Sequence, residues 1–194
     1  MIIGLAGLKN SGKDTVAAYL VKQHRFERKA FADPLKRSVA ALFDIPFTMV
    51  DQLKNDSNAE VVLRVHHKDV HGAFSSHHDM TFRTFLQRYG TEAHRDVFDQ
   101  DFWLDYTLPV RGYYPGRAIC VTDVRFPNEA NRVRELGGEL WMILRQSMEL
   151  IPDTHASEQF GFDCDKYIDN NGTIEDLYAR VEEALGATII TSDS

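Results

Sequence analysis

The chain has 194 residues, of which 43% are hydrophobic and 26% charged, a composition typical of a folded globular protein. Its 22 lysines and arginines against 29 aspartates and glutamates give a net charge of −7, which argues against binding to a nucleic acid polymer. No apolar run approaches the roughly 20 residues of a membrane span, and no basic leader is present. We therefore expect no membrane segment and a cytoplasmic location, in the host cytoplasm if the chain is viral.

The first part of the chain alternates between strand and helix patterns. Ile2–Ala6 is a short apolar run, and Thr15–His24 carries apolar residues at helical spacing. Arg28–Ala32 predicts a second strand, and Leu35–Phe43 predicts a helix with Pro34 in its first turn. This order is typical of an α/β protein.

The middle of the chain, from about Thr48 to Tyr114, interrupts the alternation. Val61–Leu63 is its one strand-like piece, and Thr81–Arg95 predicts a helix. Gly72–Thr81 is polar enough to predict a mobile loop. We therefore expect residues 34–114 to form a mostly helical insertion on the sheet.

The alternation resumes in the last third of the chain. Ala118–Thr122 and Leu140–Leu144 predict buried strands, with a helix over Asn128–Leu136 between them. Tyr167–Asp169 predicts the last strand, and Thr173 caps the last helix. The whole chain then forms one α/β domain, in which helices flank a parallel five-stranded sheet.

The most specific motif is GLKNSGKDT at residues 7–15, between the first strand and the first helix. It is a P-loop, because glycines let backbone N–H groups and a helix N-terminus face a phosphate while a lysine adds positive charge. Asp14 stands where most P-loops carry a hydroxyl residue, so it is either a Mg²⁺ ligand through water or a helix cap. The candidate ATP-binding residues are Gly7, Asn10, Ser11, Gly12, Lys13, Asp14 and Thr15.

Further charged residues follow the predicted strands, at the sheet edge where ligands bind in such folds. Asp123 is the best candidate for a carboxylate linked to Mg²⁺, together with Asp14 and Thr15. Arg125 can reach a phosphate, and Glu129 can fix it, although a surface salt bridge among the three residues explains the pattern as well. No Asn-Lys-x-Asp segment for guanine recognition occurs, which disfavours a GTPase.

The inserted region brings together residue types that suit a nucleoside monophosphate. Arginines and a lysine match phosphate, amides match a base edge, and an aromatic ring packs against a base. Each alone fits a surface or core role, and Trp103 fits the core equally well. The candidates are Asp33, Lys36, Arg83, Gln87, Arg88, Gly90, Thr91, Glu92 and Trp103.

Residues 146–162 predict a lid, because they follow a strand that ends at Arg145 and mix Pro, Gly and charged residues. His155 and Glu158 are its candidate substrate-binding residues. Five histidines lie between His66 and His78, but no partner has convincing metal-ligand spacing, so a metal site there is disfavoured.

Together these segments resemble the phage-type deoxynucleoside monophosphate (dNMP) kinases over nearly the whole chain. The motifs that carry the resemblance are SGKDT at 11–15, LQxxGT at 86–91 with Trp103, DxR at 123–125 with Glu129, and TH at 154–155 with Glu158. The segment from Thr48 to Met80 contains no recognised motif.

The resemblance implies an enzyme that uses ATP and Mg²⁺ to phosphorylate dNMPs for DNA precursor synthesis. By this resemblance, Lys13 contacts the transferring phosphate, and Arg125 and Arg145 stabilise the charge in the transition state. Lys36 and Arg83 lie on the acceptor side, and Gln87 and Thr91 contact the nucleotide acceptor. Asn171 and Gly172 lie near the adenine of ATP. A kinase of the dephospho-coenzyme A or phosphomevalonate type and a non-catalytic nucleotide-binding regulator remain alternatives. A homodimer also stays open.

Overall fold

The computed structural model describes residues 1–69, 72–110, 114, 116–145 and 160–191, and of residues 63–69, 72–78 and 187–191 only the backbone. The chain divides into two compact units. The first, which we call the sheet unit, combines Met1–Phe31 with Leu104–Ser194. The second, the inserted unit, is the contiguous stretch Ala32–Trp103.

The described elements follow one another in this order: β1 (Ile2–Ala6), α1 (Lys13–His24), β2 (Glu27–Lys29), α2 (Ala32–Leu42), α3 (Phe47–Asn55), β3 (Glu60–Asp69), β4 (Gly72–Thr81), α4 (Phe82–Gly90), a π-helical turn (Thr91–Arg95), α5 (Phe102–Thr107), β5 (Ile119–Val121), α6 (Pro127–Glu135), β6 (Glu139–Leu144), β7 (Lys166–Asp169) and α7 (Ile174–Thr191). Among the described residues, no helix is both long and apolar enough to span a membrane.

The sheet unit contains five strands in the order β2-β5-β1-β6-β7, and every neighbouring pair is parallel. β1 lies in the centre, where Gly4 pairs with Val121 on one side and Leu140 on the other. The predicted α/β fold with a parallel five-stranded sheet is confirmed.

Successive residues of the central strands face opposite sides of the sheet, which explains why these strands read as continuous apolar runs. Ile3 and Leu5 pack in a cluster with α1 and α7, whereas Ile2 packs in a second cluster with α5 and α6. Cys120 joins the first cluster and its neighbour Val121 the second. Both faces of the sheet are therefore covered, so the P-loop that follows β1 is built on a rigid support.

The second strand is shorter than the sequence predicts. We expected a strand over Arg28–Ala32, but β2 ends at Lys29 and Ala32 already belongs to α2. The backbone N–H of Phe31 donates to Oδ1 of Asp123 at 2.7 Å, so a side chain receives this donor. The sequence pattern therefore predicted a strand that extends too far at its C-terminal end, where the chain leaves the sheet.

The inserted unit has its own hydrophobic core between α2, α3 and α4. Val39, Val50 and Phe85 are buried in it, and the rings of Phe43 and Phe85 pack edge to face with a centroid distance of 5.2 Å. Gly90 approaches α2 so closely that an added Cβ would lie 2.9 Å from Leu35 Cδ2. This unit therefore closes a core from its own residues alone.

The inserted unit also contains a long hairpin that the sequence did not predict. β3 pairs antiparallel with β4 from Glu60 opposite Thr81 to Asp69 opposite Gly72. The expectation of a lone strand at Val61–Leu63 and a mobile loop at Gly72–Thr81 is wrong. A two-stranded ribbon completes its ladder through backbone N–H and C=O groups, so polar Ser, His and Thr residues do not prevent pairing.

Candidate active site

The P-loop after β1 depends on two glycines with left-handed backbone conformations. Gly7 has φ +145° and Gly12 has φ +106°. An added Cβ would lie 2.6 Å from the backbone oxygen of Ile143 at Gly7, and 2.3 Å from Nδ2 of Asn170 at Gly12. Side chains are excluded at both positions, so the loop keeps its backbone exposed to a ligand.

Lys13 is the first residue of α1 and folds back over the loop. Its Nζ donates to the backbone oxygens of Gly7 at 2.7 Å and Leu8 at 2.6 Å. The positive charge therefore lies at the loop, beside the helix N-terminus, where the helix dipole also favours an anion.

Ser11 lies inside the loop and is 1% exposed. Among the described residues its Oγ has no hydrogen-bond partner, which is costly for a buried hydroxyl unless a ligand supplies one. Its backbone N–H donates to Leu8 O at 3.2 Å, which closes the tight turn of the loop. The loop thus has the shape and donor chemistry of a phosphate site, and Asn10 contributes a third left-handed residue with φ +62°.

Asp123 and Arg125 follow β5 directly. Oδ1 of Asp123 accepts the N–H of Phe31, and Arg125 is exposed. Oε2 of the buried Glu129 accepts the backbone N–H groups of Arg125 at 2.7 Å and Phe126 at 3.2 Å. These bonds hold the loop backbone, while the Arg125 side chain is exposed to solvent.

Arg145 follows β6 and is exposed. Residues 146–159, with His155 and Glu158, lie outside the described part of the chain, so the lid over 146–162 stays a prediction. The histidines from His66 to His78 belong to the stretch whose side chains are not described.

Asn171 and Gly172 are exposed in the turn between β7 and α7. The side-chain amide of Asn171 donates to the carboxylate of Asp169. Thr173 caps α7 as predicted, because its Oγ1 accepts the backbone N–H of Asp176 at 3.2 Å. In return Asp176 Oδ2 accepts the backbone N–H of Thr173, and this bond is the main cause that lowers the pKa of Asp176.

In the inserted unit, the predicted cations are held by neighbouring side chains. Nζ of Lys36 lies 2.8 Å from Oδ1 of Asp51 on α3. Arg83 donates from Nη2 to Oδ1 of Asn55 at 3.3 Å, and both residues are exposed. The structure therefore places Lys36 and Arg83 beside α3, which contributes two polar residues that the sequence did not single out.

Further along α4, Gln87 and Arg88 are exposed, and Arg88 pairs through Nε with Oε2 of Glu92 at 2.8 Å. The helix then changes to the π-helical turn that begins at Thr91. Such turns are rare in proteins and occur frequently at functional sites. Of the predicted acceptor-side residues, Arg83, Gln87, Arg88, Gly90, Thr91 and Glu92 thus lie on consecutive turns of one segment.

Trp103 and Asp33 are buried, as is Gly90, whereas Arg83, Gln87, Arg88, Thr91 and Glu92 are exposed. The indole Nε1 of Trp103 donates to the backbone oxygen of Gly90 at 2.9 Å, and the ring packs against His94 with a centroid distance of 4.8 Å. Trp103 therefore fixes the junction between α4 and the π-helical turn. Its contact with a nucleotide stays a prediction.

A family model for "Deoxynucleotide monophosphate kinase" matches residues 45–181, most of the chain. The chain belongs to the deoxynucleotide monophosphate kinase family. This confirms the resemblance found in the sequence and makes the chain an enzyme of the transferase class.

Two relatives agree with this family. A protein from Acanthamoeba polyphaga mimivirus, named as a deoxynucleotide monophosphate kinase, is 32% identical over an alignment 197 positions long, which spans 93% of this chain and 94% of that protein. The deoxynucleotide monophosphate kinase of Escherichia phage RB69 is 28% identical over 116 residues, covering 54% of this chain and 45% of that protein.

The family match begins at residue 45, C-terminal to the P-loop at residues 7–15. In the described residues no group of three or more His, Cys, Asp and Glu side chains could hold a metal ion by itself. Mg²⁺ does not require such a cage, because it usually keeps several waters and takes oxygens from one or two side chains and from phosphates. The oxygen donors of Asp14, Thr15 and Asp123 fit that chemistry.

Proposed function

We propose that this chain transfers the γ-phosphate of ATP to a dNMP, which yields the dNDP and ADP for DNA precursor synthesis. The P-loop carries the proposal. Gly7 and Gly12 exclude side chains, and the Lys13 ammonium lies at the loop. Family membership supports a dNMP as the acceptor. Free Cys120 and Cys164 fit a reducing cytoplasm.

The donor side of the reaction is assigned to the sheet unit. The loop residues bind the ATP phosphates, and Asn171 and Gly172 lie on the adenine side. Lys13, Arg125 and Arg145 stabilise the charge that develops on the transferring phosphoryl group. Asp14, Thr15 and Asp123 would hold Mg²⁺, which when bound neutralises charge on the phosphate oxygens.

The acceptor side is assigned to the inserted unit. Lys36, Arg83 and Arg88 supply positive charge for the monophosphate, and Gln87 offers an amide for the base edge. The other acceptor-side residues proposed in the inserted unit are Asp33, Gly90, Thr91, Glu92 and the buried Trp103. The proposed lid contributes His155 and Glu158.

Phosphoryl transfer mainly requires the protein to align the substrates and to stabilise charge. The reaction passes through a loose transition state, so side chains take little part in bond making and breaking. Exclusion of water keeps the phosphoryl group from hydrolysis, which is the role proposed for the lid over 146–162. No strong base is required, so His155 is assigned to binding.

An ADP-release assay with a panel of acceptors tests this proposal. We expect turnover with ATP, Mg²⁺ and one or more dNMPs, and much slower turnover with the ribonucleotides. Turnover only with dephospho-coenzyme A or phosphomevalonate would assign the chain to that kind of kinase. Binding of ATP without turnover on any acceptor would indicate a regulator.

We expect Arg83→Ala to raise the KM for the dNMP by about 10-fold or more while the KM for ATP changes less than about twofold, because a lost charge-assisted bond costs about 1.5–3 kcal/mol. Steady-state kinetics with each substrate varied in turn measure both constants. Arg83 is exposed, so the melting temperature should stay near that of the wild type.

Arg37→Ala is the matched control for Arg83→Ala. Arg37 is an exposed arginine of the same unit, and its guanidinium lies 5.8 Å from the ring centroid of Phe47. Its removal should leave both KM values unchanged. A rise in the KM for ATP with Arg83→Ala would place this residue on the donor side instead.

A further inference from the structure

We propose that Asn170 is a positioning residue that sets the direction of a P-loop N–H group and thereby the affinity for ATP. Asn170 comes directly after β7 and is partly buried. Its backbone N–H donates to the backbone oxygen of Leu144 at 2.7 Å, which extends the ladder between β6 and β7 by one residue. The backbone of Asn170 is therefore fixed by the sheet.

The side chain of Asn170 reaches the P-loop from this fixed position. Its Nδ2 donates to the backbone oxygen of Ser11 at 2.8 Å, across a separation of 159 residues in the chain. Ser11 is 1% exposed, so water has little access to replace this donor. The hydrogen bond thus ties the loop to the end of a strand on the far side of β6.

The bonded oxygen belongs to the peptide unit that joins Ser11 to Gly12. In a planar trans peptide the C=O and the N–H point in opposite directions. A donor that fixes the Ser11 C=O therefore also fixes the direction of the Gly12 N–H. This N–H belongs to the loop that is proposed to bind the ATP phosphates, so its direction contributes to the site before any ligand arrives.

Gly12 and Asn170 fit each other sterically. A Cβ on Gly12 would lie 2.3 Å from Nδ2 of Asn170, so the amide occupies the space that any side chain there would need. The glycine consequently has a second role besides its φ of +106°. It admits the amide that holds the neighbouring carbonyl.

Two substitutions test the role of Asn170, and the test rests on the proposed kinase function only for its kinetic part. Asn170→Ala removes the donor, and Asn170→Asp replaces it by a carboxylate that faces a carbonyl. We expect the Kd for ADP with Mg²⁺, measured by calorimetry, to rise about 5–10-fold for Asn170→Ala and more for Asn170→Asp. The KM for the dNMP should change less than about twofold.

A pH series separates positioning from packing. A protonated carboxyl group regains an O–H donor. The ratio of the Kd for ADP of Asn170→Asp to that of the wild type should therefore become smaller from about pH 7 to about pH 5. The same ratio for Asn170→Ala should stay constant. A constant ratio for both variants would overturn the proposed hydrogen-bonding role.

An NMR measurement on the free protein tests the geometry without turnover. With ¹⁵N-glycine labelling, the Gly12 amide signal should shift in both variants. Asn131→Ala is the control, because Asn131 is an exposed residue of α6, and it should leave the Gly12 signal unchanged. An unmoved Gly12 signal, or an unchanged Kd for ADP, would overturn the inference. A wild type that binds ADP but phosphorylates no dNMP would overturn the proposed function and leave the Asn170 comparison valid.

Discussion

Replacing Lys13 by alanine is expected to lower kcat for phosphoryl transfer by about 10²–10³-fold, the effect of removing one preorganised charge donor from a transition state. The ammonium of Lys13 lies against the backbone oxygens of Gly7 and Leu8, within the loop that is proposed to hold the phosphates. Steady-state kinetics with saturating ATP and dNMP measure the loss in kcat. The melting temperature should fall by only a few degrees, because Lys13 is only partly buried and water can replace its ammonium at both carbonyl oxygens.

Lys22→Ala provides the matched control. Lys22 is an exposed lysine in the last turn of the same helix, so its loss should leave kcat near the wild-type value. Activity of Lys13→Ala within about tenfold of the wild type would contradict the assignment of this residue to the reacting phosphate. A large drop in melting temperature would instead give Lys13 a structural role.

Gly12→Ala is expected to abolish detectable ATP binding and turnover while the fold persists. The φ of +106° disfavours any side chain, and such strain costs of order 1–3 kcal/mol. The new methyl group would also lie 2.3 Å from Nδ2 of Asn170, so the amide or the loop must move. Calorimetry with ADP, together with circular dichroism, separates the lost binding from any lost structure.

Gly186→Ala makes the same chemical change where the backbone tolerates it. Gly186 lies in α7, and an added Cβ there meets nothing within 4 Å. Alanine favours a helix over glycine by roughly 1 kcal/mol, so the melting temperature should rise slightly with activity unchanged. Normal ADP binding by Gly12→Ala would show that the loop can accommodate a side chain at this position. It would then contradict the claim that the phosphate site requires glycine there.

The sequence predicted the sheet well because buried parallel strands have a strong signature. Ile2–Ala6 and Leu140–Leu144 are continuous apolar runs, and both lie where strands were expected. The P-loop was equally accessible, since its glycines and lysine fall between a strand and a helix. Both patterns depend only on residues that are close together in the chain, so they can be recognised without the fold.

What the sequence did not predict depends on distant contacts or on the backbone alone. The pairing of Asn170 with Ser11 joins residues at opposite ends of the chain, and Lys36 meets Asp51 across two helices. The β3–β4 hairpin has a polar second strand, so no apolar alternation marks it. Asp123 was singled out as a metal-linked carboxylate, but its bond to the Phe31 N–H follows only from the fold.

The place of the inserted unit in the chain bears on how acceptor preference evolves. Ala32–Trp103 is one contiguous stretch with a core of its own, and it interrupts the chain between β2 and β5, which are neighbours in the sheet. A recombination event that replaces this single stretch keeps every strand of the parallel sheet and the whole P-loop. If the inserted unit binds the acceptor as proposed, such an exchange would change acceptor choice while the ATP site stays intact, so the two properties would be inherited separately.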